Sequence, residues 1–104
     1  MFSNNKLVNL NKLPALEYFG LMVDGNPLND LSALGAMNGT YLVFDCTEHT
    51  PLEPLKESGF SSIYATYVFI GKQAELEGIS RFRKAVSREE ALELVAGSSF
   101  TLDF

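Results

Sequence analysis

The sequence predicts a single small α/β domain over residues 1–104: a mostly parallel or mixed sheet of four to five strands, built from repeated β–α units, with helices packed on it. Three observations predict it. Residues 40–46, Thr-Tyr-Leu-Val-Phe-Asp-Cys, are an almost wholly apolar run between Asn38-Gly39 and a polar cluster at 47–50, the pattern of a strand buried on both faces. Leu21-Met22-Val23-Asp24 and Leu42-Val43-Phe44-Asp45 lie 21 residues apart, and the same offset carries Leu31 onto Leu52 and Leu34 onto Leu55. Helix-start signals and single glycines alternate with the apolar runs, so each connection carries a helix. Connections of that kind make neighbouring strands parallel, with right-handed crossovers.

The repeat length falls within the roughly 20–29 residues of leucine-rich repeats. The run Leu-x-x-Leu-x-Leu-x-x-Asn is nevertheless not met, and two β–α units of equal length account for the pattern more economically.

Taken in order, residues 1–12 are mostly polar, with Leu7, Val8 and Leu10 as exceptions, and read as an edge strand or a loosely docked arm. Leu13-Pro14-Ala15-Leu16 reads as a helical turn or bend. Residues 18–23 form the first strand, ending in Asp24-Gly25-Asn26-Pro27. Asn26 suits an N-cap and Pro27 the first helical position, where its missing N–H costs nothing. Leu28, Leu31 and Leu34 then follow at helical spacing until Asn38-Gly39. After the central strand, Thr50-Pro51-Leu52-Glu53 has the form of a capping box, with Leu52 and Leu55 as the buried stripe of a short helix that Gly59 ends. Residues 63–70 are a third strand closed by Gly71-Lys72.

Residues 74–86 admit two readings. Leu76, Ile79, Phe82 and Val86 fall near one helical face, which favours a helix. Arg81-Phe82-Arg83 supplies the alternation of a strand from Ile79 to Val86, hairpinned onto the third. Ser87-Arg88-Glu89-Glu90 is a second capping box, opening an amphipathic helix through Ala91, Leu92, Leu94 and Val95 to Gly97. Phe100-Thr101-Leu102-Asp103-Phe104 alternates at period two and adds an edge strand, with Phe100 and Phe104 as an adhesive surface.

Eight basic against 13 acidic residues give a net charge of −5, which argues against nucleic acid as a partner, because phosphate binding draws on clustered Lys and Arg. The basic group Arg81, Arg83, Lys84 and Arg88 is flanked by Glu75, Glu77, Glu89 and Glu90 and reads as a mixed, solvated surface. Cys46 is the sole cysteine, so no internal disulfide forms and a reducing compartment is expected. The first residues lack the pattern of a signal peptide, and no apolar run approaches the ~20 residues of a membrane span. A cytoplasmic location and no membrane partner are the expectation.

In a parallel sheet, ligands collect at the C-terminal strand ends. Those positions are Asp24, Asp45 and Lys72. Neighbouring strands bring two such carboxylates to about 5 Å, close enough to share Mg²⁺, with Lys72 facing a phosphate and His49 nearby. The arrangement is similar, as fold analogy alone, to phosphate-handling domains such as response-regulator receivers. Their Asp-x-Asp pair and extra acidic residue are missing, as is any glycine-rich phosphate loop. The plainer reading has both aspartates bonding turn amides. Cys46 and His49 lie three positions apart, yet Cys46 continues an apolar strand and reads as a small buried hydrophobe. Tyr64 and Tyr67 fall on opposite faces of the third strand, as interface anchors or ordinary strand packing.

The leading functional reading is a non-enzymatic interaction module without a cofactor, which binds a partner protein or itself, through Tyr64, Tyr67, Phe100 and Phe104. The alternative is a small-molecule or Mg²⁺/phosphate site at Asp24, Asp45, His49 and Lys72, with weak hydrolase activity.

Overall fold

The computed structural model describes residues 8–11, 13, 18–26, 28–98 and 100–104. Residues 1–7, most of the bend expected at 13–16, and Pro27 lie outside them. The described residues form a five-stranded sheet of β1 (Gly20–Met22), β2 (Tyr41–Cys46), β3 (Ser62–Val68), β4 (Phe82–Ala85) and β5 (Thr101–Asp103), ordered β4-β3-β2-β1-β5. Every neighbouring pair is parallel, so the expected mixed edge is absent.

The 21-residue offset is the length of one coil. Leu21, Leu42 and Ile63 pair side by side, as do Met22, Val43 and Tyr64, so strands separated by that offset stack in register. The connections stack as well. Leu34, Leu55 and Leu76 each have 0% exposure, and the next column, Met37, Ser58 and Ile79, is buried throughout. The pattern therefore runs through a third copy, beyond the two β–α units expected. The strict leucine-rich run is absent, but Leu21-x-Val23-x-x-Asn26-x-Leu28 keeps its apolar and asparagine positions in relaxed form.

Coils this short leave little room for helix. The stretch expected to be helical from Leu28 is a 3₁₀ turn, Ser32–Ala36, started by Asp30, whose carboxylate accepts the Ser32 N–H at 2.9 Å. Asn26 is not its cap, because Leu31 holds the N-cap position; the Asn26 side-chain N–H groups donate to the carbonyls of Val23 and Phe104 at 3.0 and 2.8 Å. Helix α1 is only Glu53–Lys56, and Thr50 does not cap it. The Thr50 hydroxyl instead accepts the Thr47 N–H and donates to the Asp45 carbonyl. Residues 74–86 divide between the two readings: α2 is Gln73–Glu77, Gly78 closes it, and β4 follows. With a helix between them, β4 lies parallel to β3 and no hairpin forms.

Helix α3 is Arg88–Val95, capped as the sequence indicates by the Ser87 hydroxyl, which accepts the Glu90 N–H at 3.1 Å. It carries the chain from β4 at one edge to β5 at the other, and so crosses the sheet. The sheet thus has two cores. One face packs Leu21, Leu42, Phe44 and Ile63 against the coil connections, including Leu34, Leu55 and Leu76. The other packs Met22, Val43 and Tyr64 against Ala91 and Val95 of α3. Strand β2 lies at the centre, which explains its unbroken apolar run.

A bulge at Thr66 corrects the placing of the tyrosines. The register pairs Val43 with Tyr64 and Asp45 with Tyr67, so the extra residue breaks the simple alternation that set the two tyrosines on opposite faces. Strand β5 is held along β1, and Leu102 and Phe104 pack against the larger core. Leu10, in the segment expected to dock loosely, is 1% exposed, and the N–H groups of Asn29 and Asp30 donate to the Val8 carbonyl.

Candidate functional site

At the strand ends, Asp24 and Asp45 enter different networks. Asp24 follows β1 and is 5% exposed. Its two carboxylate oxygens lie 2.6 Å from Nη1 of Arg88, whose Nη2 lies 2.8 Å from Oδ2 of Asp103 on β5. Burial alone would lower the pKa of the Arg88 guanidinium, but the hydrogen bonds and charges of Asp24 and Asp103 outweigh it and hold it above its ordinary value. A cation at the first position of a helix opposes the helix dipole. That unfavourable placement is the sequence signal that Arg88 answers to other charges.

Asp45 accepts the Gly25 N–H on Oδ2 at 2.7 Å and the Thr66 hydroxyl on Oδ1 at 2.5 Å. Gly25 has φ 77°, a turn conformation that favours glycine, so this bond ties the turn after β1 to β2. Lys72, at the end of a 3₁₀ turn after β3, donates from Nζ to the Thr50 carbonyl. The His49 side chain is 80% exposed and 3.4 Å from Glu48. Cys46 is fully buried, and burial pushes its thiol pKa up. Imidazole and thiol therefore occupy solvent and core respectively, which is no geometry for a Cys–His pair. Among the described residues, no group of three or more His, Cys, Asp or Glu side chains could hold a metal ion.

The other expected surface residues separate in the same way. Tyr64 is 8% exposed and lies in the α3-side core. Phe104 is partly buried, its N–H donating to the Met22 carbonyl at 2.8 Å. Phe100 is 43% exposed and stacks on Phe19, with ring centroids 5.9 Å apart. Tyr67 is 54% exposed.

Tyr67 borders a feature that the sequence did not reveal, a cleft of about 730 Å³ between the end of β3, α2 and β4. Val68, Leu76 and Phe82 supply its apolar lining, Arg83 and Lys84 two cations on β4, and Glu77 a carboxylate on the α2 side. Just beyond β3, Ile70 is 83% exposed. Strand β4 ends the sheet on this side, and Arg83, Lys84 and Ala85 are all exposed. Arg83 donates to the Ser61 carbonyl at 3.0 Å, and Lys84 forms an exposed ion pair with Glu90 at 2.8 Å. The arrangement offers apolar surface, cations and one sheet edge side by side. No family model, curated protein or solved structure matches the chain.

Proposed function

We propose that the protein is a non-enzymatic interaction module that engages a partner protein, or a second copy of itself, at the β3–β4 end of its sheet. One observation carries this reading. The cleft beside β4 is lined by exposed Tyr67, and exposed Ile70 follows two residues after β3, while Asp24, Asp45 and Lys72 are engaged within the chain. Partly exposed aromatic and aliphatic side chains around a cleft are the usual anchors of a protein interface. The single buried cysteine fits a reducing compartment, and we place the protein in the cytoplasm on that ground. No described helix is long and apolar enough to cross a membrane.

The test places a photo-cross-linking amino acid at Tyr67 in the full chain in cells, with Tyr18 as the control position. Light scattering over a dilution series of the purified protein accompanies it. Cross-links at Tyr67 but not at Tyr18, or a dimer that dissociates on dilution, support the module. A strictly monomeric protein without position-specific cross-links overturns it. So does a Mg²⁺- or phosphate-dependent thermal shift that is lost in Asp45→Asn, which would return the site to the strand ends.

A further inference from the structure

Resting on that reading, we infer that the occupant of the β3–β4 end is an extended segment of another protein, alternating acidic and apolar residues, which adds to β4 as a sixth strand. The backbone gives the first argument. Ile63 N–H donates to the Arg81 carbonyl and Val86 N–H to the Ala65 carbonyl, each at 2.9 Å. Strand alternation then turns the N–H and C=O of Ala85 away from β3, toward the open edge. An edge with unpaired peptide groups is a template for another strand.

The side chains say which strand. Arg83 and Lys84 of β4, with Arg81 just before the strand and donating to the Ser58 carbonyl, put three cations within four positions, in a chain of net charge −5. A second copy pairing β4 against β4 would set these cations opposite one another, which is unfavourable. Pairing β4 with β5 of another copy is head-to-tail and, unless its rotation closes a ring, runs on as an open filament. An acidic segment meets neither obstacle. The Lys84–Glu90 pair is exposed on both sides, so it is weak and Lys84 is readily re-paired. On the α2 side, the cleft over Val68, Leu76 and Phe82 receives the apolar side chains of the segment, which recur at every second residue.

Charged edges also serve to repel other strands, so the experiment must separate a docking edge from a guarded one. The probe is a displayed library of random peptides of about ten residues, the upper end of usual strand length, selected on the immobilised full chain. Enriched peptides are measured against wild type, Ala85→Glu and Ala85→Lys, and amide exchange is recorded with and without the tightest binder. Ala85 is exposed, so both substitutions leave the core untouched.

The expected result is an acidic–apolar alternating pool that loses about tenfold or more in affinity on Ala85→Glu. The same pool keeps its affinity on Ala85→Lys, and bound peptide slows exchange at the Ala85 amide. No enrichment, a pool without acidic bias, or binding that ignores the Ala85 charge overturns the inference. Position-specific cross-links at Tyr67 alongside any of these would sink strand addition alone and leave the interaction module standing.

Discussion

Replacing Arg88 with Met tests whether the charges at the strand ends are structural. The substitution keeps much of the side-chain length and removes the guanidinium from Asp24 and Asp103. Asp24, with a side chain 8% exposed, loses a partner 2.6 Å away, and Asp103, 13% exposed, loses one at 2.8 Å. Stripping one partner from a buried pair costs about 3–5 kcal/mol, because the remaining charge is left desolvated and unpaired. Arg88 is itself 26% exposed, so water reaches the vacated space and the lower end applies, about 3 kcal/mol. At about 4–8 °C per kcal/mol for a domain of this size, the thermal midpoint falls by roughly 12–24 °C. Urea unfolding of Arg88→Met, Asp24→Asn and the double variant provides the assay. If the pair is what matters, removing both partners costs less than the sum of the singles, with a coupling of more than about 1 kcal/mol. Additivity within about 0.5 kcal/mol, or a loss below about 1 kcal/mol in Arg88→Met, would refute the reasoning.

Three further outcomes follow from the packing. Gly39→Ala places a Cβ into the Phe60 ring and 2.9 Å from the Phe19 carbonyl oxygen. It should cost about 1–3 kcal/mol in urea unfolding, partly recovered by Phe60→Leu, and an unchanged midpoint would contradict this. Burial raises the Cys46 pKa, so the stability tied to its neutral thiol is complete below the unfolded value of about 8.5. As pH rises from there toward the folded value, that stability is lost at up to about 1.4 kcal/mol per pH unit. Stability curves from neutral pH upward should therefore fall more steeply for wild type than for Cys46→Ala, and parallel curves would disprove the linkage. Deleting residues 100–104 removes β5, the Asp103–Arg88 pair and the Phe104 carbonyl that Asn26 binds. The truncated chain should lose its cooperative unfolding transition, whereas a stable folded monomer formed from a dimer would make the tail an interface.

What was legible in the sequence was whatever repeats along the chain. The strand Leu21-Met22 and its 21-residue echo at Leu42-Val43 are adjacent paired strands, and Leu31, Leu34, Leu52 and Leu55 are all buried. The third echo was harder to see. Ile63-Tyr64-Ala65 lacks the terminal aspartate, and Phe82 pairs with Ile63 at an offset of 19, which breaks the period. Strand β4 is a short, wet edge carrying two cations, so its alternation competes with the helical spacing of Leu76, Ile79 and Phe82. Asp45 bonds a turn amide, that of Gly25, as the plainer reading has it, whereas Asp24 is held by Arg88 instead. Arg88 reaches Asp24 across 64 positions, and no local pattern records that approach.

The same long-range step explains why so few coils suffice. A coil stack alone buries only the face its own connections cover, and here that would leave the column Met22, Val43 and Tyr64 in water. Helix α3 covers this column with Ala91 and Val95, and β5 then closes the β1 edge. Arg88 lies at the junction of the two devices, joining the start of α3 to Asp24 of the first coil and to Asp103 of the closing strand. Closure at that edge leaves the β4 side as the end of the stack where peptide groups and an apolar cleft meet. The residues that complete the fold and the edge proposed here for docking are thus set by one choice of topology, the return of the chain from β4 across the sheet to β5.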